Sequence, residues 1–222
     1  GGTITTDGDF KVHTFTSSGN FVISSVAGKG EVRVLCVAGG GGGGFKYGGG
    51  GGAGGFVEDT YIFNTGTFVV TIGSGGSGRG AANHTASAGI GGDSYINPTD
   101  PASIDGADFT IIARGGGCAG PGGSGSYTTV YFNNEDGGSG AGTSGVTQGS
   151  SYVNTPSWGS NSGTGSQGSG GGCGVSYGGS ATFTGGGGGG GAGHAGNTAP
   201  QGGGPIGSGG VGGLGRDSTI TG

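Results

Sequence analysis

Glu31-Val-Arg-Val-Leu-Cys-Val-Ala-Gly-Gly-Gly-Gly-Gly-Gly44 is a strand that runs without a break into six glycines. Its first residues alternate charged and apolar, and from Val34 the run is continuously apolar, as expected of a strand entering a core. From Gly39 to Gly44 there are no side chains at all. Runs of the same kind recur from Gly48 to Gly52 and from Gly185 to Gly191, and glycine supplies 71 of the 222 residues. That is about a third of the chain, where an ordinary protein carries about 7%. Glycine loses the most conformational freedom on folding, so a chain this rich in it should behave as a linker unless the glycine is itself structural.

Packed polyproline-II helices provide such a structure. This helix has three residues per turn and no internal hydrogen bonds, so its amides point outward. Without side chains, neighbouring helices approach closely enough to exchange N–H to C=O bonds, with Cα–H···O contacts added. Each net bond is worth only about 1 kcal/mol, against an ordering cost of about 1–2 kcal/mol per residue. A rigid framework must therefore hold the helix ends. Triplet spacing is visible at Gly165, Gly168, Gly171 and Gly174, and again at Gly204, Gly207, Gly210 and Gly213.

The framework is written in β residues. Phe10–Phe15, Phe21–Ile23, Glu31–Val37, Thr60–Phe63, Thr67–Ile72 and Asp108–Ala113 are rich in β-branched and aromatic residues, which suit a pleated, half-buried surface. Asn64-Thr-Gly66 reads as a short hairpin-like connection. Helical periodicity is missing, and this glycine density opposes helix formation. The expected fold is all-β: a β-sandwich-like framework carrying an inserted polyglycine-II helix bundle, with essentially no α-helix. Residues 1–114 form the strand framework with the first glycine insertions. Residues 115–222 form the glycine-rich bundle with polar-aromatic loops, packed on the framework.

Composition excludes several classes. Six prolines without a sustained Gly-X-Y register do not make collagen. A net charge of −5 and seven scattered basic residues offer no track for nucleic acid. No apolar stretch is long enough to span a bilayer as a helix, and no membrane insertion is expected. The chain lacks methionine and a recognisable signal peptide, so we expect a processed product or part of a longer polypeptide.

No cofactor, metal or catalytic group is expected. Glycine-rich nucleotide-loop patterns arise by chance in this composition, and His13, His84 and His194 are far apart in sequence. Glu135 and Asp136 beside Asn133 and Asn134 read as loop solvation rather than a cation site. Cys36 reads as a small buried hydrophobe. Cys118 and Cys173 each follow three glycines, and both a bridge between them and two free thiols are compatible with that placement.

Tyr127, Tyr131, Phe132, Asn133, Asn134, Tyr152 and Trp158 concentrate side-chain chemistry between glycine tracts. A scaffold with few side chains can recognise a partner only through its loops, and aromatics give large contact area at low rotamer cost. These are the candidate receptor-binding residues, with Phe45 and Tyr47 as secondary candidates. The alternatives are that they cap the bundle or make subunit contacts.

The ordered series His13-Thr-Phe-Thr-Ser-Ser-Gly-Asn-Phe21, Val34-Leu-Cys-Val-Ala followed by Gly39 to Gly44, Gly48 to Gly55 before an aromatic, and Thr67-Phe-Val-Val-Thr-Ile-Gly73 resembles the glycine-rich domain of tailed-phage tail-fibre and virion proteins. The closing residues from Gly212 to Gly222 resemble that domain's last segment. Looser similarities run to T-even phage tip adhesins and to the glycine-rich domain of anaplastic-lymphoma-kinase-type receptors. The segments Ser126–Asp136 and Ser150–Trp158 match no motif of these families. The resemblance implies polyglycine-II packing and a non-enzymatic, distal host-attachment role in an extracellular virion. The implied partners are a host cell-surface glycan or outer-membrane protein, together with other fibre subunits, in a homo-oligomer taken as a trimer. A self-assembling extracellular fibre or sheath protein is the alternative.

Overall fold

Alternation in the Glu31–Val37 strand persists to its end: Val32, Val34 and Cys36 face inward, while Val37 is 50% exposed. The apolar tail of this strand therefore does not sink into the core, because its pleat keeps every second residue outside. The structure, a computed structural model, describes residues 1–26, 28–45, 48–79, 88–98, 111–119, 123–124, 138–142, 146–147, 167–169, 171, 175–177, 183–197, 199–200 and 209–220. Among these residues there are strands and no helix. The fold is all-β.

Eight strands build the framework: β1 (Thr3–Asp7), β2 (Phe10–Thr14), β3 (Gly19–Ile23), β4 (Glu31–Val37), β5 (Phe56–Ile62), β6 (Gly66–Thr71), β7 (Ser94–Pro98) and β8 (Ile111–Ala113). β3-β6-β7-β8 form an antiparallel four-stranded sheet, and β4 pairs antiparallel with β5. Val34 and Cys36 of β4 pack with Phe68 of β6 and with Ile111 and Ala113 of β8, so the two sheets close face to face on one core. Phe63 and Phe68, 1% and 0% exposed, meet edge to face at 4.8 Å between ring centroids, and Phe21 joins them. β1 and β2 form a separate hairpin whose turn has Gly8 at φ 56°, the positive φ that tight hairpin turns require.

The Asn64-Thr-Gly66 link is not a hairpin turn. β5 pairs with β4 and β6 with β3, so this link carries the chain from one sheet to the other. Burial of Phe63 explains the crossing: its ring is fixed between the sheets, and its amide donates to the Gly30 carbonyl at 2.9 Å.

Cys36 is 8% exposed and its Sγ donates to the Ser94 carbonyl oxygen at 3.4 Å. Burial pushes its thiol pKa up, partly countered by a backbone hydrogen bond involving Ala113. Since the thiolate is the reactive form, iodoacetamide at mildly alkaline pH should leave Cys36 unmodified in the native chain and alkylate it after denaturation. Peptide mass spectrometry checks this; native-state labelling as fast as in the denatured chain would contradict a closed core.

Candidate functional site: the distal end of a glycine lattice

Beyond the strands, glycine segments bond to one another at every third residue. In the 38–44 segment, Ala38, Gly41 and Gly44 donate to the carbonyls of Gly55, Gly52 and Gly49 at 3.0, 2.8 and 2.9 Å. Gly39 and Gly42 donate to Gly92 and Gly89, and their own carbonyls accept from Gly116 and Ala119. The carbonyls of Gly40 and Gly43 accept from Gly76 and Arg79. An antiparallel β ladder returns to the same partner every second residue; here the return takes three residues, so one segment serves several neighbours.

The rule extends through both halves of the chain. Gly50 and Ala53 donate to Gly187 and Gly190, and Gly52 and Gly55 donate to Gly117 and Arg114. Ser139 and Gly142 donate back to Ala53 and Gly50. Gly188 and Gly191 donate to Asn197 and His194, while Gly210 and Gly213 donate to Gly186 and Gly189. The triplet spacing read at Gly210 and Gly213 is thus used directly as a pair of donors.

Side chains guard the boundary where strand pairing gives way to this lattice. Asp93 accepts from Gly115 N–H through Oδ1 at 2.7 Å and from Arg114 Nη1 through Oδ2 at 2.9 Å. Gln167 accepts from Arg114 N–H through Oε1 and donates to the Ile112 carbonyl through Nε2. Ser94 Oγ accepts from Gly73 N–H, and Ser18 Oγ accepts from Ile72 N–H. These polar groups pair with backbone groups that neither the two-residue nor the three-residue pattern reaches. Sequence reasoning missed them, because single polar residues amid glycine carry no spacing signal.

Bond directions orient every segment. The 38–44 segment leaves β4, and 48–55 returns to β5, so Gly44 and Gly48 mark the end remote from the sheets; there Gly48 N–H donates to the Phe45 carbonyl at 3.0 Å. Segments 73–79 and 114–119 run parallel to 38–44, and 138–142 runs antiparallel to 48–55. Close approaches of Gly168 to Gly138 and of Gly171 to Ala141 align the stretch around 167–171 with 138–142. The chain therefore quits the lattice at the same remote end after Gly44, Arg79, Ala119, Gly142, Gly171 and Asn197. Four short strands lie beyond these ends: β9 (Gly123–Ser124) pairs parallel with β10 (Val146–Thr147), and β11 (Val175–Tyr177) pairs antiparallel with β12 (Phe183–Gly185).

Gly1 and the stretch 216–219 lie at the opposite, framework pole. His13 Nδ1 is 3.0 Å from the Gly1 carbonyl oxygen. The closing stretch runs along the outer face of β4 and β5, with the Arg216 guanidinium 5.2 Å over the Phe56 ring and Thr219 Oγ1 accepting from Arg33.

The remote end is the candidate site. Phe45 sits there, half-buried, and the chain enters 120–137 and 143–166 from Ala119 and Gly142 at that end. Tyr47, Tyr127, Tyr131, Phe132, Asn133, Asn134, Tyr152 and Trp158 lie outside the described residues, as do His84, Glu135, Asp136 and Cys173. Gly39, Gly44, Gly48, Gly52 and Gly191 are lattice members, and Gly185 ends β12. Cys118 is a free, partly buried thiol near this end.

A family model described as a glycine-rich domain matches residues 16–222. No curated protein and no solved structure matches the chain.

Proposed function

The chain belongs to the glycine-rich domain family, and from that premise we propose that it is a non-enzymatic attachment module of a virion appendage, of the tail-fibre kind, which binds a host surface through its remote end. One observation carries this reading. Gly1 and Thr219 lie at the framework pole, while the lattice releases the chain six times at the other pole. On this reading the framework pole faces the particle and the remote pole faces the host. The three-residue return of the lattice bonds supports reading the glycine segments as polyproline-II helices; a six-glycine run then reaches about 19 Å. That rigid spacing would hold the aromatic segments away from the body of the particle.

The partner is a host glycan or outer-membrane protein, engaged by Tyr127, Tyr131, Phe132, Asn133, Asn134, Tyr152 and Trp158, with Phe45 and Tyr47 as secondary contacts. Aromatic anchors carry a large share of interface energy. The test is binding of the fluorescently labelled chain to a panel of bacterial cells by flow cytometry. The Tyr152→Ala, Trp158→Ala double variant should lose at least about tenfold in affinity, or 1.4 kcal/mol, with its β-rich circular dichroism intact. Wild-type affinity in a folded double variant, or no binding by the wild type to any cell, defeats the reading. Loss of folding instead assigns these residues to capping the lattice.

A further inference from the structure

Lattice segments 38–44, 48–55, 73–79, 88–92 and 114–119 are continuous with the framework strands β4 to β8. The last segment, 209–215, is not. It runs toward the framework pole beside 186–191, and among the described residues no strand follows it. It also lies at the margin of the lattice: Gly210 and Gly213 are half-buried, while Gly209, Val211, Gly212, Leu214 and Gly215 are exposed. Gly210 and Gly213 donate to Gly186 and Gly189, the Val211 carbonyl accepts from Asn197, and the Leu214 carbonyl accepts from Gly193 and His194. Such bonds do not by themselves offset the ordering of a glycine-rich segment, so its framework end needs an anchor of another kind.

Residues 216–220 supply it with side chains. Phe56 pairs across the sheet with Val37 and so shares its outer face, yet Val37 is 50% exposed and Phe56 only 7%. The Arg216 guanidinium lies 5.2 Å over the Phe56 ring, within cation–π reach. Further along the sheet, Thr219 Oγ1 accepts from Arg33, which is itself paired with Glu58. Ser218 Oγ accepts from Ile220 N–H, and both residues are half-buried. Among the described residues, 216–220 makes no backbone hydrogen bond to β4 or β5. Strand anchorage lasts as long as the sheet does. This anchorage rests on two contacts of exposed side chains, Arg216 and Thr219, each of which is weak alone.

We propose that 216–220 is a clasp, and that the margin of the lattice has a closed and an open state between which the clasp selects. In the open state Arg216 and Thr219 leave the sheet and 209–215 comes away from 186–191 and 194–197 as one unit. The framework and the interior segments stay folded, since local openings of this kind lie far below global unfolding in free energy. The consequence crosses the molecule. The chain quits the lattice at the remote end after Asn197 and re-enters it at Gly209, and Asn197 N–H donates to the Val211 carbonyl. Opening the clasp at the framework pole therefore frees one end of the intervening stretch and loosens the other. The device is independent of what the remote end binds.

The test is amide hydrogen exchange of the whole chain followed by NMR, comparing the wild type with the Arg216→Ala, Thr219→Val double variant. The double variant should exchange Gly193, His194, Asn197, Gly210 and Gly213 at least about tenfold faster, with the amides of β4, β5, Gly41 and Gly52 unchanged. Arg216→Lys, which keeps a cation over Phe56, should stay within about threefold of the wild type. Unchanged exchange at Gly210 and Gly213 in the double variant overturns the proposal, because the segment then holds itself. So does faster exchange that spreads equally to β4, β5 and Gly41, or Arg216→Lys exchanging as fast as the double variant. If the double variant fails to fold, Thr219→Val alone, which trades a hydroxyl for a methyl on an exposed side chain, decides by the same amides.

Discussion

Alanine at Gly41 costs the chain about 3 kcal/mol, whereas alanine at Gly43, two residues along the same run, is neutral or stabilises it by up to about 1 kcal/mol. The difference is entirely in what each position faces. A Cβ on Gly41 would lie under 3.0 Å from the carbonyl oxygens of Gly117 and Gly116, which are backbone atoms held by their own lattice bonds. No rotamer change can relieve that clash, so either two segments separate or bonds on both sides break. A Cβ on Gly43 meets nothing nearer than 3.9 Å, and its backbone angle suits any residue, so alanine mainly reduces the freedom of the unfolded chain. At this chain length 1 kcal/mol moves the melting temperature by about 2–4 °C. Gly41→Ala should therefore melt about 6–12 °C lower and Gly43→Ala no lower than the wild type. Equal shifts would mean that glycine is needed for local flexibility rather than close approach. Gly188→Val belongs with Gly41, since its Cβ would strike the Val211 carbonyl.

Phe68→Ala removes the most enclosed ring of the framework and should cost about 3–5 kcal/mol. Its ring is 0% exposed and sits against Phe63 at 4.8 Å and Phe21 at 6.3 Å, so truncation leaves a cavity between two sheets and breaks an aromatic cluster. The larger expectation concerns the lattice. Its segments 38–44, 48–55, 73–79, 88–92 and 114–119 are continuous with β4, β5, β6, β7 and β8, and its bonds alone do not offset the ordering of so much glycine. Hydrogen exchange followed by mass spectrometry should show framework and lattice peptides of Phe68→Ala losing protection together. Lattice peptides that stay protected while β3 and β6 exchange freely would show that the glycine segments hold themselves.

Much of the framework was legible because its strands carry enough side chains to show a pattern. The strands that carry Phe21, Val34, Phe68 and Ile111 were read from their apolar, β-branched and aromatic content; Val34, Phe68 and Ile111 are buried in the core and Phe21 packs against it, partly buried. β1 was overlooked although Gly8-Asp9 is a two-residue hairpin loop signal, because Thr3–Asp7 has little apolar content and is exposed throughout. β7 was missed because Ser94-Tyr-Ile-Asn-Pro98 is short and ends in proline. The Phe63 crossing between sheets was illegible, since a three-residue link has the same composition whether it turns within a sheet or between two. In the lattice, glycine triplets announced a period of three, but not which segments would meet. That information resides in bond directions, and glycine has no side chain with which to encode a partner. The candidate site was legible only as a concentration of aromatics; that six exits share one end came from the directions of the segments.

The out-and-back course of the segments also decides how the molecule bears a load. A pull applied at the remote end and resisted at the framework acts along the segment axes, while the bonds that join the segments run across them. Those bonds are then loaded in shear and share the tension together, instead of opening one after another from an edge. A body built this way resists such a pull with all its cross-bonds at once and yields abruptly rather than by gradual peeling.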